Sequence, residues 1–149
     1  MIQSPQLSAS IEFLYVAFSR YPYRGTLPAN CDCCEALDLT RLSQVPLRSI
    51  AASELTDVFF VVGPHSGGPD DFRHYLPRVL ELFASDTDNS IPASILADRL
   101  RSLGVAAWPS PEREALQAFF RALPPGGKYG HASAAVLPLL SGAPTATGA

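Results

Sequence analysis

The chain contains 149 residues, of which 47% are hydrophobic and 17% are charged, and its formal net charge is −3. This composition is typical of one globular domain and excludes a largely disordered chain. The 11 Lys and Arg residues form no basic run that could neutralise a phosphate backbone, so we expect no nucleic-acid partner.

The apolar stretches of the chain are short. The longest, Phe13–Phe18 and Val58–Val62, fall well below the roughly 20 residues that a membrane-spanning helix needs, so we expect no membrane partner. The N-terminus carries no basic segment ahead of an apolar run. Its sequence therefore predicts a cytoplasmic protein without a secretory signal.

Two helices are predicted in the first 42 residues. Apolar side chains at helical spacing predict a helix over Leu7–Arg20, with Ser8 or Ser10 as its N-cap. A shorter helix is predicted over Glu35–Leu42, where Leu39 and Leu42 are three residues apart. The intervening segment is rich in proline and glycine, which indicates a turn-rich connection.

Residues 53–62 present a choice between helix and strand. Their second half, Val58–Val62, is rich in residues that favour strands. The sequence offers no second strand that could pair with it, and an unpaired strand is not stable. We therefore predict a helix here, with Ser53 as its N-cap.

The segment from Pro69 to Ser85 is the best-defined predicted helix. Pro69 suits the first helical position, and Asp70 and Asp71 follow where the helix dipole favours carboxylates. Helical periodicity separates an apolar side from a polar side, and Pro77 is predicted on the polar side, where it should bend the helix convex towards solvent. The polar side consists of Asp71, Arg73, His74, Arg78 and Glu81.

Three further helices are predicted in the second half. One runs from a Ser90 cap to Leu103, and the next begins at Ser110 and ends before Pro124. A glycine loop over residues 126–130 should precede a terminal helix over Ala134–Leu140, with 141–149 as a frayed tail.

The predicted fold is an all-α, single-domain globule of six or seven helices over residues 1–149, with the 69–84 helix at its centre. Burial of apolar side chains should drive folding, each contributing about 1.5–3 kcal/mol of transfer free energy. The predicted core residues are Phe59, Phe72, Leu76, Leu80, Phe83, Leu100, Leu116 and Phe120.

The three cysteines, Cys31, Cys33 and Cys34, are clustered within four residues. Their spacing would let two thiolates reach one tetrahedral zinc ion, which His65, His74 or His131 could complete. Two alternatives stay open. A thiol at the start of a helix can be redox-active or nucleophilic, and small thiols are often simply buried.

His74 stands near the centre of the predicted polar side, one turn from Asp70 and Asp71 and one turn from Arg78. A general acid or base would suit this position. A set of partly solvated helical ion pairs explains the same spacing, so we predict no catalytic residue there.

The segment Gly63–Pro69 precedes a helix and contains three glycines, as phosphate-binding loops do. Asp70 and Asp71 already place negative charge at that helix start, and the segment lacks the lysine followed by a hydroxyl residue that a nucleotide-binding loop carries. We interpret it as a surface loop or hinge.

Several motifs together resemble a family of uncharacterised bacterial proteins. They are the Cys31–Cys34 cluster, Pro46-Leu47-Arg48, the run Asp71-Phe72-Arg73-His74-Tyr75-Leu76-Pro77-Arg78, and Leu80-Glu81-Leu82. Members of that family carry clustered cysteines followed some forty residues later by a helix reading Asp-Phe-Lys/Arg-His-Phe-Leu-Pro-Arg. Where they tend to show Trp-Gly-Asp before this helix, the present chain has the loop that contains His65. The resemblance implies no particular activity.

Two functions follow as hypotheses. The first is a small cytosolic module that binds a partner protein, for example one of the antidote or immunity type, because the chain is acidic, rather apolar and without a convincing catalytic set. The second is a zinc protein, structural or hydrolytic, in which Cys31, Cys33, Cys34 and His74 bind the metal.

Overall fold

The computed structural model describes residues 4–30, 32, 35–85 and 91–141. Their contacts define two compact units: the first comprises Phe18–Leu82, and the second comprises the residues up to Ala17 together with those from Phe83 onward. The fold is all-α, as predicted, while the single-domain organisation stays a prediction. No described helix combines the length and apolar character needed to cross a bilayer.

The described residues form six α-helices. These are α1 (Pro5–Ala17), α2 (Ala52–Val61), α3 (Pro69–Ser85), α4 (Ala93–Ser102), α5 (Ser110–Ala122) and α6 (Gly127–Ser141). The remaining regular structure consists of two short strands, β1 (Thr26–Leu27) and β2 (Leu37–Asp38), and 3-10 turns over Thr40–Gln44, Leu47–Ser49 and Val105–Ala107.

The first unit contains the two-stranded antiparallel sheet, in which Thr26 pairs with Asp38 and Leu27 with Leu37. The predicted helix over Glu35–Leu42 is therefore wrong. Backbone pairing extends Leu37–Asp38, and the Asp38 carboxylate accepts the Thr40 N–H at 2.9 Å, which starts a 3-10 turn instead.

The helix predicted over 53–62 is confirmed as α2, which begins one residue earlier than predicted. Ser53 does not cap it, because the N-cap position is Ala51 and no side chain caps the helix there. The apolar run at its end is buried through Val58, Phe59 and Val62 rather than paired as a strand.

The predicted helix from Pro69 to Ser85 is confirmed with the same boundaries. The prediction that the polar side of this helix faces solvent is wrong, since only Pro69 and Asp70 of the whole helix are exposed. Asp71 is 4% exposed, and Pro77 is buried rather than facing solvent. The charged side chains of α3 after Asp70 are therefore only partly accessible to water or buried.

In the second unit, α1 packs against α5, and α6 packs against both α4 and α5. Helix α1 starts two residues earlier and ends three residues earlier than predicted, and its N-cap is Ser4, whose Oγ accepts the Leu7 N–H at 3.0 Å. Neither Ser8 nor Ser10 caps it, because both lie inside the helix.

The α6 helix is longer than predicted. It begins at Gly127 and thus includes most of the segment predicted to be a glycine loop. Tyr129 is buried at its start, where its hydroxyl donates to the Ala84 carbonyl at 3.4 Å, and Ser133 Oγ donates to the Phe120 carbonyl at 2.8 Å. Tertiary contacts thereby order a sequence of low helical propensity.

Helix α5 agrees with the sequence prediction. Helix α4 is confirmed as a helix, but the predicted cap is wrong: the helix begins at Ala93, its N-cap position is Pro92, and no side chain caps it there. Gly104, just beyond the Leu103 C-cap of α4, adopts the left-handed conformation (φ 75°). The predicted cap Ser90 and the predicted tail from 142 onward lie outside the described residues. All eight predicted core residues are buried, each with at most 2% of its surface exposed.

Candidate functional site

The predicted zinc ligands divide into two groups. Cys31, Cys33 and Cys34 lie outside the described residues, whereas His74 is described. Within residues 4–30, 32, 35–85 and 91–141, no three His, Cys, Asp or Glu side chains are grouped so that they could hold a metal ion. The zinc site stays a prediction that involves the cysteines.

His74 is half-buried in the first unit, and contacts across the sequence hold its ring in place. Nδ1 lies 2.9 Å from the Tyr21 carbonyl oxygen, so the ring donates this hydrogen bond when Nδ1 carries the proton. Tyr75 packs edge-on against the imidazole, with ring centroids 4.7 Å apart, and Tyr23 packs against it at 5.9 Å. Two phenol rings and a backbone carbonyl, not solvated ion pairs, therefore surround His74.

The Asp71 carboxylate organises the start of α3. Its Oδ2 accepts the Gly68 N–H at 2.8 Å, which is the reciprocal half of a capping box. Arg24 donates to both carboxylate oxygens, from Nε at 2.7 Å and from Nη2. Burial alone would raise the pKa of Asp71, but the Arg24 guanidinium and the Gly68 amide outweigh burial and lower the pKa of this carboxyl.

The loop that precedes α3 is anchored by Asn30. The Asn30 side-chain amide donates to the carbonyls of Gly63 at 2.8 Å and Gly67 at 2.9 Å, and its backbone N–H donates to the His65 carbonyl at 2.9 Å. The Asp71 carboxylate takes the Gly68 amide at the helix start. The Gly67 N–H donates to the Pro28 carbonyl at 2.9 Å, so both amides that a phosphate-binding loop would offer here, those of Gly67 and Gly68, are already used within the protein.

Two arginines of α3 are also bound internally. Arg78 donates from Nε (3.1 Å) and Nη2 (2.9 Å) to the Ile50 carbonyl, and from Nη1 to Glu81 at 2.9 Å. Arg73 donates from Nη1 to the Tyr21 hydroxyl at 3.0 Å and to Asp70 at 3.2 Å. Helical ion pairs therefore form at Arg73 and Arg78, each with an additional partner outside α3, rather than around His74 as predicted.

A cavity of about 140 Å³ lies beside His74 in the first unit. Its polar wall is formed by Tyr23, Ser43, His74 and Tyr75, and its apolar wall by Leu42, Val45, Leu47 and Ile50. The Tyr75 hydroxyl is buried without a hydrogen-bond partner among the described residues. Burial raises the pKa of Tyr75 well above its ordinary value, so its phenol keeps its proton across the physiological range.

A different surface feature lies in the second unit, between α1 and α5. It is a groove of about 360 Å³ lined by Gln6, Ala9, Ser10 and Phe13 of α1 and by Ala118, Arg121 and Ala122 of α5. Phe13 is 37% exposed and Val16, one turn further along α1, is 70% exposed. We call this the α1–α5 groove.

Comparison of the chain with protein-family models, with curated proteins and with solved structures gives no match. The resemblance to a bacterial family stays a prediction that rests on the quoted motifs. The function is therefore inferred from the geometry around His74 and at the α1–α5 groove.

Sequence reasoning did not single out Tyr75, Tyr23, Phe13 or Arg121 as site residues. Tyr75 lies on the buried side of α3, but periodicity does not reveal whether a buried hydroxyl finds a partner. The exposure of Phe13 could have been predicted, because α1 carries apolar residues on more than one face and only one face can be buried against α5.

Proposed function

We propose that this protein is a small binding module that docks a partner protein on the α1–α5 groove. The observation that carries the proposal is the exposed apolar stripe of α1, formed by Ala9, Phe13 and Val16 beside that groove. The opposite side of the same helix is already buried through Leu7, Ile11 and Leu14. A helix that is apolar on both sides is typically covered on both sides.

The occupant we infer is an amphipathic helix of the partner. Ala9, Phe13 and Val16 are spaced by four and three residues, so they form a ridge along α1 that a second helix can pack against. The groove between α1 and α5 is the complementary depression for apolar side chains at positions i, i+3, i+4 and i+7 of such a helix.

Charge complementarity selects an acidic partner helix. Arg121 is exposed at the groove, and it is the only charged side chain among the seven residues that line it. A carboxylate of the partner helix would pair with its guanidinium at the rim of an otherwise uncharged contact. An antidote that holds another protein inactive is one kind of module that this arrangement and the small acidic chain would suit.

The test uses synthetic helical peptides with one apolar face and either glutamate or lysine beside it. We expect the glutamate peptide to bind more tightly, and Phe13→Glu to weaken its binding by at least about tenfold. Arg121→Glu should reverse the preference between the two peptides. Ala106→Glu, which adds the same charge at an exposed position outside the groove, serves as the matched control.

A dye that reports exposed apolar surface should bind the wild-type protein and bind the Phe13→Glu variant less. Equal binding of both peptides to wild type and to both groove variants would contradict the proposal. Concentration-dependent self-association that Phe13→Glu abolishes would assign the groove to a second copy of the chain, and would equally overturn a separate partner.

We propose zinc binding as the alternative function, with His74 and the cysteines Cys31, Cys33 and Cys34 as ligands. One observation favours it: Nδ1 of His74 bonds to a backbone carbonyl, which is the outer-shell arrangement that orients metal-binding histidines and leaves Nε2 for the metal. Metal analysis after anaerobic purification tests it. We expect one zinc per chain, lost in His74→Phe; a metal-free wild type that is unchanged by chelators would exclude it.

A further inference from the structure

Another cavity lies in the first unit, between α2 and residues 37–42, and its volume is about 180 Å³. Its α2 side consists of Glu54, Asp57, Val58 and Val61, whose i, i+3, i+4 and i+7 spacing places them on one face of the helix. The facing side is formed by β2 and the 3-10 turn that follows it. Both sides belong to the first unit, so the cavity is formed within it.

Apolar side chains form the interior of this cavity. Leu39, Leu42 and Val58 are buried, each at most 5% exposed, whereas Leu37 and Val61 are only half-buried. A molecule that enters the cavity therefore meets apolar surface that solvent also reaches. An apolar cavity of about 150 Å³ is large enough for benzene, so this one has room for a chain of about five carbon atoms.

Charged side chains surround the mouth of the cavity. Asp38, Arg41 and Asp57 are exposed, and Glu54 is half-buried. Three carboxylates and one guanidinium give this rim a net charge of −2. Arg41 pairs with Glu54, but the Arg41 side chain is 78% exposed, and such pairs are weak. The cavity therefore favours a cation whose apolar part fits the interior.

Two carboxylates of the rim retain unused oxygens. The Asp57 side chain forms no hydrogen bond or ion pair with another described residue. Asp38 Oδ1 accepts the Thr40 N–H, the Thr40 hydroxyl and the Thr26 hydroxyl, while Asp38 Oδ2 has no partner among the described residues. The Thr40 hydroxyl and N–H also lower the pKa of Asp38, so this carboxyl stays ionised at neutral pH.

The arrangement of the carboxylates suits an organic cation better than a metal ion. Within the part of the chain that the structure describes, no three His, Cys, Asp or Glu side chains are grouped closely enough to hold a metal. A hard divalent cation needs several oxygen ligands within about 2.6 Å. Carboxylates spread around an apolar interior instead match an ammonium group that carries an alkyl chain.

We propose that this cavity binds a small aliphatic ammonium compound with about five carbon atoms. The alkyl chain packs against Leu39, Leu42 and Val58. The ammonium group lies at the mouth, where Asp57 and Asp38 provide unused carboxylate oxygens and water can complete its hydration. The site belongs to the first unit and is independent of the α1–α5 groove.

The probes are isoamylamine, isoamyl alcohol and isovalerate, which contain five carbon atoms each and differ in charge, and methylammonium, which has the charge without the chain. Titration of the purified full chain, followed by two-dimensional NMR of its methyl groups, should show saturable shifts of Leu39, Leu42 and Val58 with isoamylamine. We expect isoamylamine to bind at least about threefold more tightly than the alcohol, and at least about tenfold more tightly than isovalerate or methylammonium.

Two variants change the charge of the rim in opposite directions. Asp57→Asn removes an unused carboxylate and should weaken isoamylamine binding about threefold, whereas Arg41→Gln releases Glu54 and should strengthen it about twofold to threefold. Neither should change the binding of the uncharged alcohol. Both residues are exposed, so both variants should fold like wild type. Asp98→Asn, which removes the same charge from a 70% exposed side chain in the second unit, is the matched control and should bind isoamylamine normally.

Four results would overturn the proposal: no saturable shift with isoamylamine; equal affinity for isoamylamine and isovalerate; methylammonium bound as tightly as isoamylamine, which would mean a surface counter-ion only; or affinity changes of the same sign in Asp57→Asn and Arg41→Gln. Tighter binding of N-acetyl-lysine methylamide than of isoamylamine would assign the cavity to a lysine side chain of a partner protein, and would equally exclude a free ammonium compound.

Discussion

Arg24 and Asp71 are 47 residues apart in the chain, and the Arg24 guanidinium donates to both oxygens of the Asp71 carboxylate. The carboxylate simultaneously caps α3 by accepting the Gly68 amide. One buried side chain therefore joins the segment before β1, the loop before α3 and the first turn of α3 itself.

The Asp71 cap makes a first prediction about stability. Asp71→Asn should lower the free energy of unfolding by about 1–2 kcal/mol, as expected for the loss of a capping side chain, and more if Arg24 loses its orientation. Urea unfolding measures the change. Asp70→Asn is the control, because the Asp70 side chain is 71% exposed and should change stability by less than about 0.5 kcal/mol.

The same carboxyl predicts a pH dependence. Because its pKa is lowered in the folded protein, the stability that Asp71 contributes is fully present above its unfolded pKa of about 3.9 and is lost as pH falls through the lower folded value. The difference in unfolding free energy between wild type and Asp71→Asn should therefore be constant between pH 5 and pH 7 and shrink below about pH 4. A difference that persists unchanged in strong acid would show that ionisation of Asp71 does not stabilise the fold.

Substitution of Gly67 is predicted to destabilise the protein through both backbone strain and steric clash, and comparison with Gly63 separates the two. Its φ of +72° disfavours any side chain, and a Cβ there would lie 2.6 Å from Asp71 Oδ2 and 3.0 Å from Leu27 Cδ1. Gly63 also has positive φ, +101°, but nothing lies within 4 Å of its Cβ position. Gly63→Ala should therefore cost about 1–2 kcal/mol from backbone strain, and Gly67→Ala more, at least about 3 kcal/mol. Thermal unfolding of both variants tests the order; equal costs would rule out the steric contribution.

A third kind of prediction concerns the contact between Arg78 of α3 and the Ile50 carbonyl, which lies just before α2. Arg78→Leu retains apolar bulk but leaves the Ile50 carbonyl without its two donors, so we expect a loss of about 1–3 kcal/mol in unfolding free energy. Arg101→Leu removes an exposed ion pair with Asp98 and should change stability by less than about 1 kcal/mol. If the two variants are equally stable, the Ile50 contact contributes nothing beyond a surface pair.

Helices with their own sequence signals were predictable. Pro69 at the first helical position, acidic residues in the first turn and regular apolar spacing defined α3 to the residue, and the same reasoning predicted the start of α5 at Ser110. Periodicity also identified core positions such as Phe59 and Leu116, because burial of apolar faces is what selects them.

Features that depend on distant pairing were not predictable. Leu37 and Asp38 are extended because they pair with Leu27 and Thr26, and no local pattern reveals a two-residue strand. The charged side of α3 was expected in solvent, since a helical projection shows only which residues share a face. It does not show that folding places Arg24 and the Ile50 carbonyl within hydrogen-bond distance of that face.

The candidate sites likewise combine residues that the sequence indicates with residues that only the fold brings together. The sequence indicated His74 as a chemically interesting residue, and the structure places it against Tyr21, Tyr23 and Tyr75. The two tyrosines of the cavity wall come from different segments, and only tertiary folding brings them together. Arg121 similarly becomes a residue of the α1–α5 groove only because α1 packs against α5.

The Asn30 side chain has a consequence for the chemical ageing of the protein. A single amide nitrogen satisfies two carbonyl oxygens, those of Gly63 and Gly67, and only a side chain with at least two N–H groups can do so. Deamidation to aspartate would replace both donors with an anionic oxygen facing two carbonyls, so slow hydrolysis at this one residue would turn an anchored loop into a repelled one.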